Sequence, residues 1–247
     1  MPPAQDKVVR FECVTRTHVG CRRKINEDSL LSRPGLWAVA DGMGGHEAGE
    51  VASALVVEML GASAAAGPVA SRAAAAHRAL QDANGRLLAM AATAGASRTI
   101  GSTAVVIAAE ASSFSCLWAG DSRAYLARDG ALSQLTHDHS LVQQLVDSGD
   151  LEACAAAHHP NANIITRAVG AAPALVIDNV DGEVLAGDIF LLASDGLTRL
   201  LSDAEILEQL EASDLEAAAD KLIDTCLDRK APDNVTFIML RAHPGTL

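Results

Sequence analysis

Leu36-Trp37-Ala38-Val39-Ala40-Asp41-Gly42-Met43-Gly44-Gly45 is an apolar run that stops on an aspartate and a glycine-rich turn. A short apolar run bounded by turn residues reads as a buried strand, so its end delivers a carboxylate. The same design recurs at Ala119-Gly120-Asp121-Ser122-Arg123, at Ser194-Asp195-Gly196 and at Pro232-Asp233-Asn234, and Asn26-Glu27-Asp28 lies just after the first predicted strand. Taken singly, each Asp-Gly or Asp-Asn is more often an ordinary turn, because Asp, Asn and Gly are favoured turn residues. Taken together they are harder to dismiss. Apolar strand ends converge at one edge of a sheet, and like charges gathered there raise one another's pKa and destabilise the fold unless cations join them. Carboxylate and carbonyl oxygens without a Cys or His ligand set favour magnesium or manganese over zinc.

Outward from this run, strand groups alternate with helix groups. Residues 8–20 alternate apolar and polar side chains as a half-buried strand does, and 21–28 is dense in charge. Val51, Leu55 and Met59 recur every fourth residue and predict an amphipathic helix over 47–60, followed by an Ala-rich helix over 69–92 carrying Leu80, Leu87 and Met90. Strands are predicted over 103–109, 114–119 and 123–127, with Asp129-Gly130 a hairpin turn before Leu132, and their tight connections imply an antiparallel sheet. A helical stretch reaches Asp147, and 148–163 has weak periodicity and reads as an excursion. Strands over 175–180 and 189–193 precede two helices with capping-box patterns, Ser202 with Glu205 and Ser213 with Glu216, and 234–240 reads as a last strand. No repeat, linker or domain boundary stands out. The pattern predicts one α+β domain over 1–247 with two sheets covered by helices.

A chain of 247 residues can bury a sizeable core, and 49% hydrophobic with 20% charged residues argues against disorder. Aromatics are only 3%, so the core must be built from Ala, Val, Leu and Ile. The net charge of -12, from 31 acidic against 19 basic side chains, disfavours nucleic acid and anionic membrane as partners. It suits cations, although acidity also serves solubility alone. Cys13, Cys21, Cys116, Cys154 and Cys226 are widely spaced with no Cys-x-x-Cys pair, which predicts neither zinc site nor disulfide framework. The opening MPPAQDKVVR has no apolar signal core and no later stretch offers about 18 uninterrupted apolar residues, so a cytoplasmic protein is predicted.

The ordered set RRKINED (Arg22 to Asp28), DGMGG (Asp41 to Gly45), GDSR (Gly120 to Arg123), SDGL (Ser194 to Leu197) and DNVT (Asp233 to Thr236) resembles the PPM family, the type-2C protein serine/threonine phosphatases, in their bacterial form. Gly101-Ser102-Thr103, THDHS from Thr136, ITRAVG from Ile165 and GDIFLLASDG from Gly187 match as well. The resemblance implies a four-layer αββα sandwich, two antiparallel sheets flanked by pairs of helices. It also implies two manganese or magnesium ions and a weaker third. On the matching positions, Asp41 bridges the two cations, Glu27 and the Gly42 carbonyl complete one site, and Asp195 and Asp233 hold the other. Asp28 contacts the metals through their waters, and Asp121, shared with Asp195, serves the third. Arg23 stands where the family binds the substrate phosphate. Two cations ~3.5–4 Å apart lower the pKa of a bridging water and neutralise the phosphoryl oxygens.

One position departs from the family. Eukaryotic members often carry a histidine within the Asp-Gly-x-Gly-Gly turn, taken to protonate the leaving alkoxide, where this chain has Met43; His46 and a water are the remaining candidates. The flap of the family falls at about 147–163, and Leu197, Arg167 and Gly170 read as packing and turn residues. The implied function is hydrolysis of phosphoserine and phosphothreonine on proteins by a monomer that opposes a cognate kinase. A pseudophosphatase that binds phosphoproteins without hydrolysis and a small-molecule phosphohydrolase are the competing readings.

Overall fold

The computed structural model describes residues 9–44, 48–63, 66–94, 99–212 and 214–245. The first sheet contains β1 (Val9–His18), β7 (Arg123–Arg128), β8 (Ala131–Gln134), β10 (Ile189–Ala193) and β11 (Val235–Pro244), in the order β1-β11-β10-β7-β8. The second runs β2 (Asp28–Arg33), β3 (Leu36–Met43), β5 (Ala104–Glu110), β6 (Ser113–Ala119) and β9 (Asp178–Glu183), with β4 (Gly101–Ser102) paired to β3. The strand pairings in both sheets are antiparallel. Helices α1 (Ala48–Ser63) and α2 (Val69–Ala94) lie on the second sheet, and α5 (Asp203–Leu210) and α6 (Leu215–Asp228) on the first. Two short helices, α3 (Leu141–Asp147) and α4 (Asp195–Thr198), follow strand ends.

Successive strand side chains point to opposite faces, and that period sorts the core into three layers. On β3, Trp37 and Val39 face the other sheet while Ala38 and Ala40 meet α1 and α2. On β10, Phe190 and Leu192 face inward between the sheets and Leu191 meets the helices on the far side. The few aromatics concentrate between the sheets: Phe190 packs edge-on against Phe114 at 4.9 Å and Phe11 at 6.4 Å. The four-layer sandwich expected from the motifs is therefore present, filled mainly by Ala, Val, Leu and Ile.

Several boundaries differ from the sequence reading. The strand from Leu36 runs through Asp41 to Met43, so Asp41 lies inside β3 rather than beyond it. β2 went unpredicted, and β9 occupies 178–183 rather than 175–180. The predicted stripe of α1 flanks its buried face: Leu55 and Met59 pack against the core, Val51 is 45% exposed, and Ala52, Ser53, Val56 and Leu60 are buried. Small residues lie there because α1 approaches the sheet closely, with Ser53 hydrogen-bonded to Ser29 at 3.0 Å. The segments 114–119 and 123–127 do not share a sheet, since Gly120-Asp121-Ser122 carries the chain from one sheet to the other. Ser202 and Glu205 form the capping box that starts α5. Ser213 lies outside the described residues, and α6 is capped by Asp214, which accepts from the Glu216 and Ala217 amides. All five cysteines are free thiols. Among the described residues no helix is long and apolar enough to cross a membrane.

Phe190→Ala should destabilise the chain by roughly 3–5 kcal/mol, because the wholly buried ring fills the inter-sheet layer. Urea unfolding should show a lower midpoint with an unchanged slope, and a loss under about 1 kcal/mol would refute this packing.

Candidate active site

The pleat that sorts the core also assembles the site. Continuing the inward-facing series of Trp37 and Val39, Asp41 faces the space between the sheets, and its register partner across the strand pair is Asp28. Like charges set directly opposite destabilise a sheet unless something compensates them. From the first sheet, Ser194 follows β10 and Asn234 precedes β11 at the same end, bringing Asp195 and Asp233 with them. Asp121 arrives on the crossing between β6 and β7.

Backbone and hydroxyl contacts fix each carboxylate. The Asp41 amide donates to Thr103 Oγ1 at 2.9 Å, its carbonyl accepts from the Thr103 amide at 2.8 Å, and Thr103 Oγ1 meets Ser122 Oγ at 2.7 Å. Asp28 Oδ2 accepts from Ser194 Oγ at 2.9 Å. Asn234 ties the 19–27 loop to the last strand: its Nδ2 donates to the Val19 and Ile25 carbonyls, and its Oδ1 accepts from the Glu27 amide at 2.8 Å. Gly42 is required by proximity, because a Cβ there would overlap the Gly49 carbonyl at the start of α1 and approach the Glu27 carbonyl to 2.7 Å. Those two glycines let helix, loop and strand meet beside Asp41.

The electrostatics show how closely these groups gather. Burial, and then the charges of Asp28, Asp195, Asp121 and Asp233, push Asp41 well above the usual carboxylate range. Asp28 and Asp121 are each pushed up to about 7, in both cases chiefly by burial and then by Asp195 among the neighbouring acids. Asp195 is raised chiefly by burial and then by the charge of Asp233, opposed by Arg199. Carboxyls gathered in this way are relieved by a proton or a cation.

Two arginines supply the positive charge. Arg23 contacts Asp233 Oδ2 at 2.9 Å and Glu27 Oε2 at 3.3 Å, while Arg199 contacts Asp195 Oδ2 at 2.9 Å and Asp121 Oδ2 at 3.3 Å. With the acids shared out in this way, no three of them converge as a formed metal cage among the described residues. The donor set nonetheless fits hard dications. Asp121 Oδ1 is buried without a hydrogen-bond partner, and the mutual repulsion of Asp41 and Asp195 marks a place where a cation would bring relief.

The remaining motifs build the frame of the site. Arg123 of GDSR grips Asp138 of THDHS through Nε and Nη2 at 2.8–3.0 Å. His139 Nδ1 accepts from the Gly120 amide at 3.0 Å, so its Nε2 carries the proton that faces Asp178 at 3.1 Å. Arg167 is an ion-pair residue rather than only a turn residue, with Nη1 at 2.8 Å from Asp178 Oδ1. Leu197 is fully buried and Gly170 takes a positive φ of 88°. Met43 is half-buried and its Cε lies against Gly101, while His46 lies outside the described residues. Sequence reasoning missed Arg199 and the anchoring role of Asn234. Arg199 was visible only as a cation four residues after Asp195.

A four-layer sandwich whose inter-sheet end gathers carboxylates from separate segments is the architecture of the metal-dependent phosphatases, and known proteins share it over nearly the whole chain. PppA of Pseudomonas aeruginosa, described as a key regulatory component of T6SS, is 43% identical with a TM-score of 0.89, covering 95% of this chain and 99% of that structure. The catalytic domain of the serine/threonine protein phosphatase PstP in complex with 2 manganese ions is 35% identical with a TM-score of 0.84, covering 96% and 99%. Full-length PstP of Mycobacterium tuberculosis is 37% identical over 235 residues, which are 94% of this chain and 45% of PstP, so the chain spans under half of that relative. A profile of protein phosphatase 2C matches residues 8–145. The chain belongs to the protein phosphatase 2C family.

Between about pH 4 and about 7 folded Asp121 keeps a proton that the unfolded chain has released, so its burial costs more stability as pH rises through that window. Asp121→Asn is neutral throughout. Without metal the variant should match the parent near pH 4 and exceed it by roughly 1–3 kcal/mol at about pH 8. Equal pH slopes in thermal unfolding would contradict the placement of Asp121.

Proposed function

We propose that this chain hydrolyses phosphoserine and phosphothreonine on proteins, opposing serine/threonine kinase signalling, with two manganese or magnesium ions at the acidic end of the inter-sheet layer. The observation that carries this reading is the meeting of Asp41, Asp195 and Asp233, far apart in sequence, in one electrostatic neighbourhood. The manganese-bound PstP catalytic domain, alike over 96% of the chain, supports the same reading.

In this reading Asp41 serves both cations, Glu27 and the Gly42 carbonyl complete one site, and Asp195 and Asp233 the other. Asp28, held by Ser194, orients the surrounding waters, and Asp121 with Asp195 serves a weaker third site. Such cations, when bound, bring the pKa of a water towards ~7 and offset the charge of a phosphate ester. Arg23 is 47% exposed at the mouth of the site, and its guanidinium fork suits two phosphate oxygens. Its contacts with Glu27 and Asp233 keep it there until phosphate takes their place. The Met43 thioether has no proton to give, so protonation of the leaving oxygen falls to His46 or a water.

Exposure of Arg23 and of Asp233, at 38%, gives the site an open mouth, which suits a phosphorylated loop of a folded protein better than an enclosed small molecule. The chain then acts as one phosphatase domain over 1–247, with 147–163 as its flap, a monomer in the cytoplasm fed by a cognate kinase. Likeness to PppA supports a setting in T6SS regulation.

With a phosphothreonine peptide, turnover should require manganese and stop on addition of chelator. Asp41→Asn and Asp195→Asn should each lower it by on the order of a hundredfold or more, with circular dichroism unchanged. Asp121→Ala should lose less at saturating manganese. Retained turnover in both asparagine variants would defeat the metal assignment, and a folded wild-type chain that binds the peptide without turnover would favour the pseudophosphatase reading.

A further inference from the structure

Arg199 joins two parts of the molecule that nothing else on its side of the site connects so directly. It follows α4 at the end of β10, four residues beyond Asp195, with its backbone amide held by the Asp195 carbonyl at 2.9 Å. Its side chain is one-third exposed and reaches both ways. Nη2 lies 2.9 Å from Asp195 Oδ2, 3.3 Å from Asp121 Oδ2 and 3.1 Å from the Ala162 carbonyl, while Nη1 donates to Asn163 Oδ1. Ala162 and Asn163 close the 148–163 excursion, which is mostly exposed and holds one 3-10 turn at Ala153–His158. One guanidinium therefore fastens the end of the flap to two buried acids.

One of these two acids remains incompletely satisfied. Asp121 is 5% exposed, its Oδ2 faces Arg199, and its Oδ1 has no partner. As placed, Arg199 reaches Asp121 through Oδ2 alone and leaves Oδ1 unserved, whereas a hard cation accepts oxygens from several directions. A cation drawn between Asp121 and Asp195 would meet the positive charge of Arg199 at contact distance. Both cannot hold the same oxygens.

The geometry points to Arg199 as a latch: it holds the flap against the site while it occupies Asp121 and Asp195, and a cation binding those acids displaces it and frees the flap. This rests on the metal reading above and adds to it a coupling between cation occupancy and flap position. By linkage the coupling runs both ways, so weakening the latch must tighten the cation. It also assigns a function to a residue that touches the flap and both acids of the weaker cation site, one of which, Asp195, belongs to a principal site as well.

Hydrogen exchange over 159–164 and manganese titration calorimetry, both on the full chain, test the latch without any activity measurement. In the wild-type chain, saturating manganese should speed exchange at that end of the flap severalfold. Arg199→Gln should show that faster exchange already without metal, and its weakest manganese should bind roughly fivefold tighter or more. Asn163→Ala removes one flap contact of Arg199 and leaves the Ala162 carbonyl. It should speed exchange without metal less than Arg199→Gln does, and tighten the weakest manganese by a smaller factor. If manganese binds but neither flap exchange nor the weakest affinity responds to Arg199→Gln, the latch is overturned and the metal reading stands. If the wild-type chain takes up no manganese, both fall together.

Discussion

Carboxylates crowded at one end of the inter-sheet layer are the constraint around which this molecule is organised. Asp28, Asp41, Asp121, Asp195 and Asp233 feel one another's charge, and for those that are buried, burial is the larger cause of their raised proton affinity. Such an arrangement is unfavourable in isolation. It persists because the surrounding fold leaves the acids nowhere else to go. β3 and β2 hold Asp41 and Asp28 in register, Thr103 pins the Asp41 backbone on both sides, and Asn234 locks the loop that carries Glu27. The two sheets and their aromatic filling supply the stability against which this repulsion is set.

Compensation comes from protons and arginines. Burial and neighbouring charge raise the proton affinity of Asp41 and Asp195, Arg23 bridges Glu27 and Asp233, and Arg199 bridges Asp121 and Asp195. These stand-ins match the charge demand imperfectly, as the unpartnered Asp121 Oδ1 shows. The frame behind them is neutral and rigid by contrast. Arg123 is committed to Asp138, and the His139 ring is fixed between the Gly120 amide and Asp178. The arginines at the mouth, Arg23 and Arg199, are partly exposed, while hydrogen bonds to Thr103 and Asn234 hold the backbone that aims the acids.

Much of this was legible in the sequence, and the failures have physical causes. Alternation and apolar runs located β1, β3, β5, β10 and β11 because each is buried on at least one face. β9, Asp178-Asn179-Val180-Asp181-Gly182-Glu183, is a polar strand that carries no apolar signal and gained its place only by pairing with β6. On α1 the large residues Leu55 and Met59 only flank the buried face, whose centre escaped notice because close packing on the sheet selects the small Ala52 and Ser53. The acidic motifs were visible because an aspartate beside glycine after an apolar run is unusual when repeated. Arg199 carried no such pattern, since its meaning depends on where the flap returns, and that is set by tertiary structure.

Manganese anomalous scattering from crystals of the chain tests the central claim most directly. The account predicts two strong peaks among Asp41, Glu27, Asp195 and Asp233. Crystals grown with saturating manganese that show no peak there would contradict it.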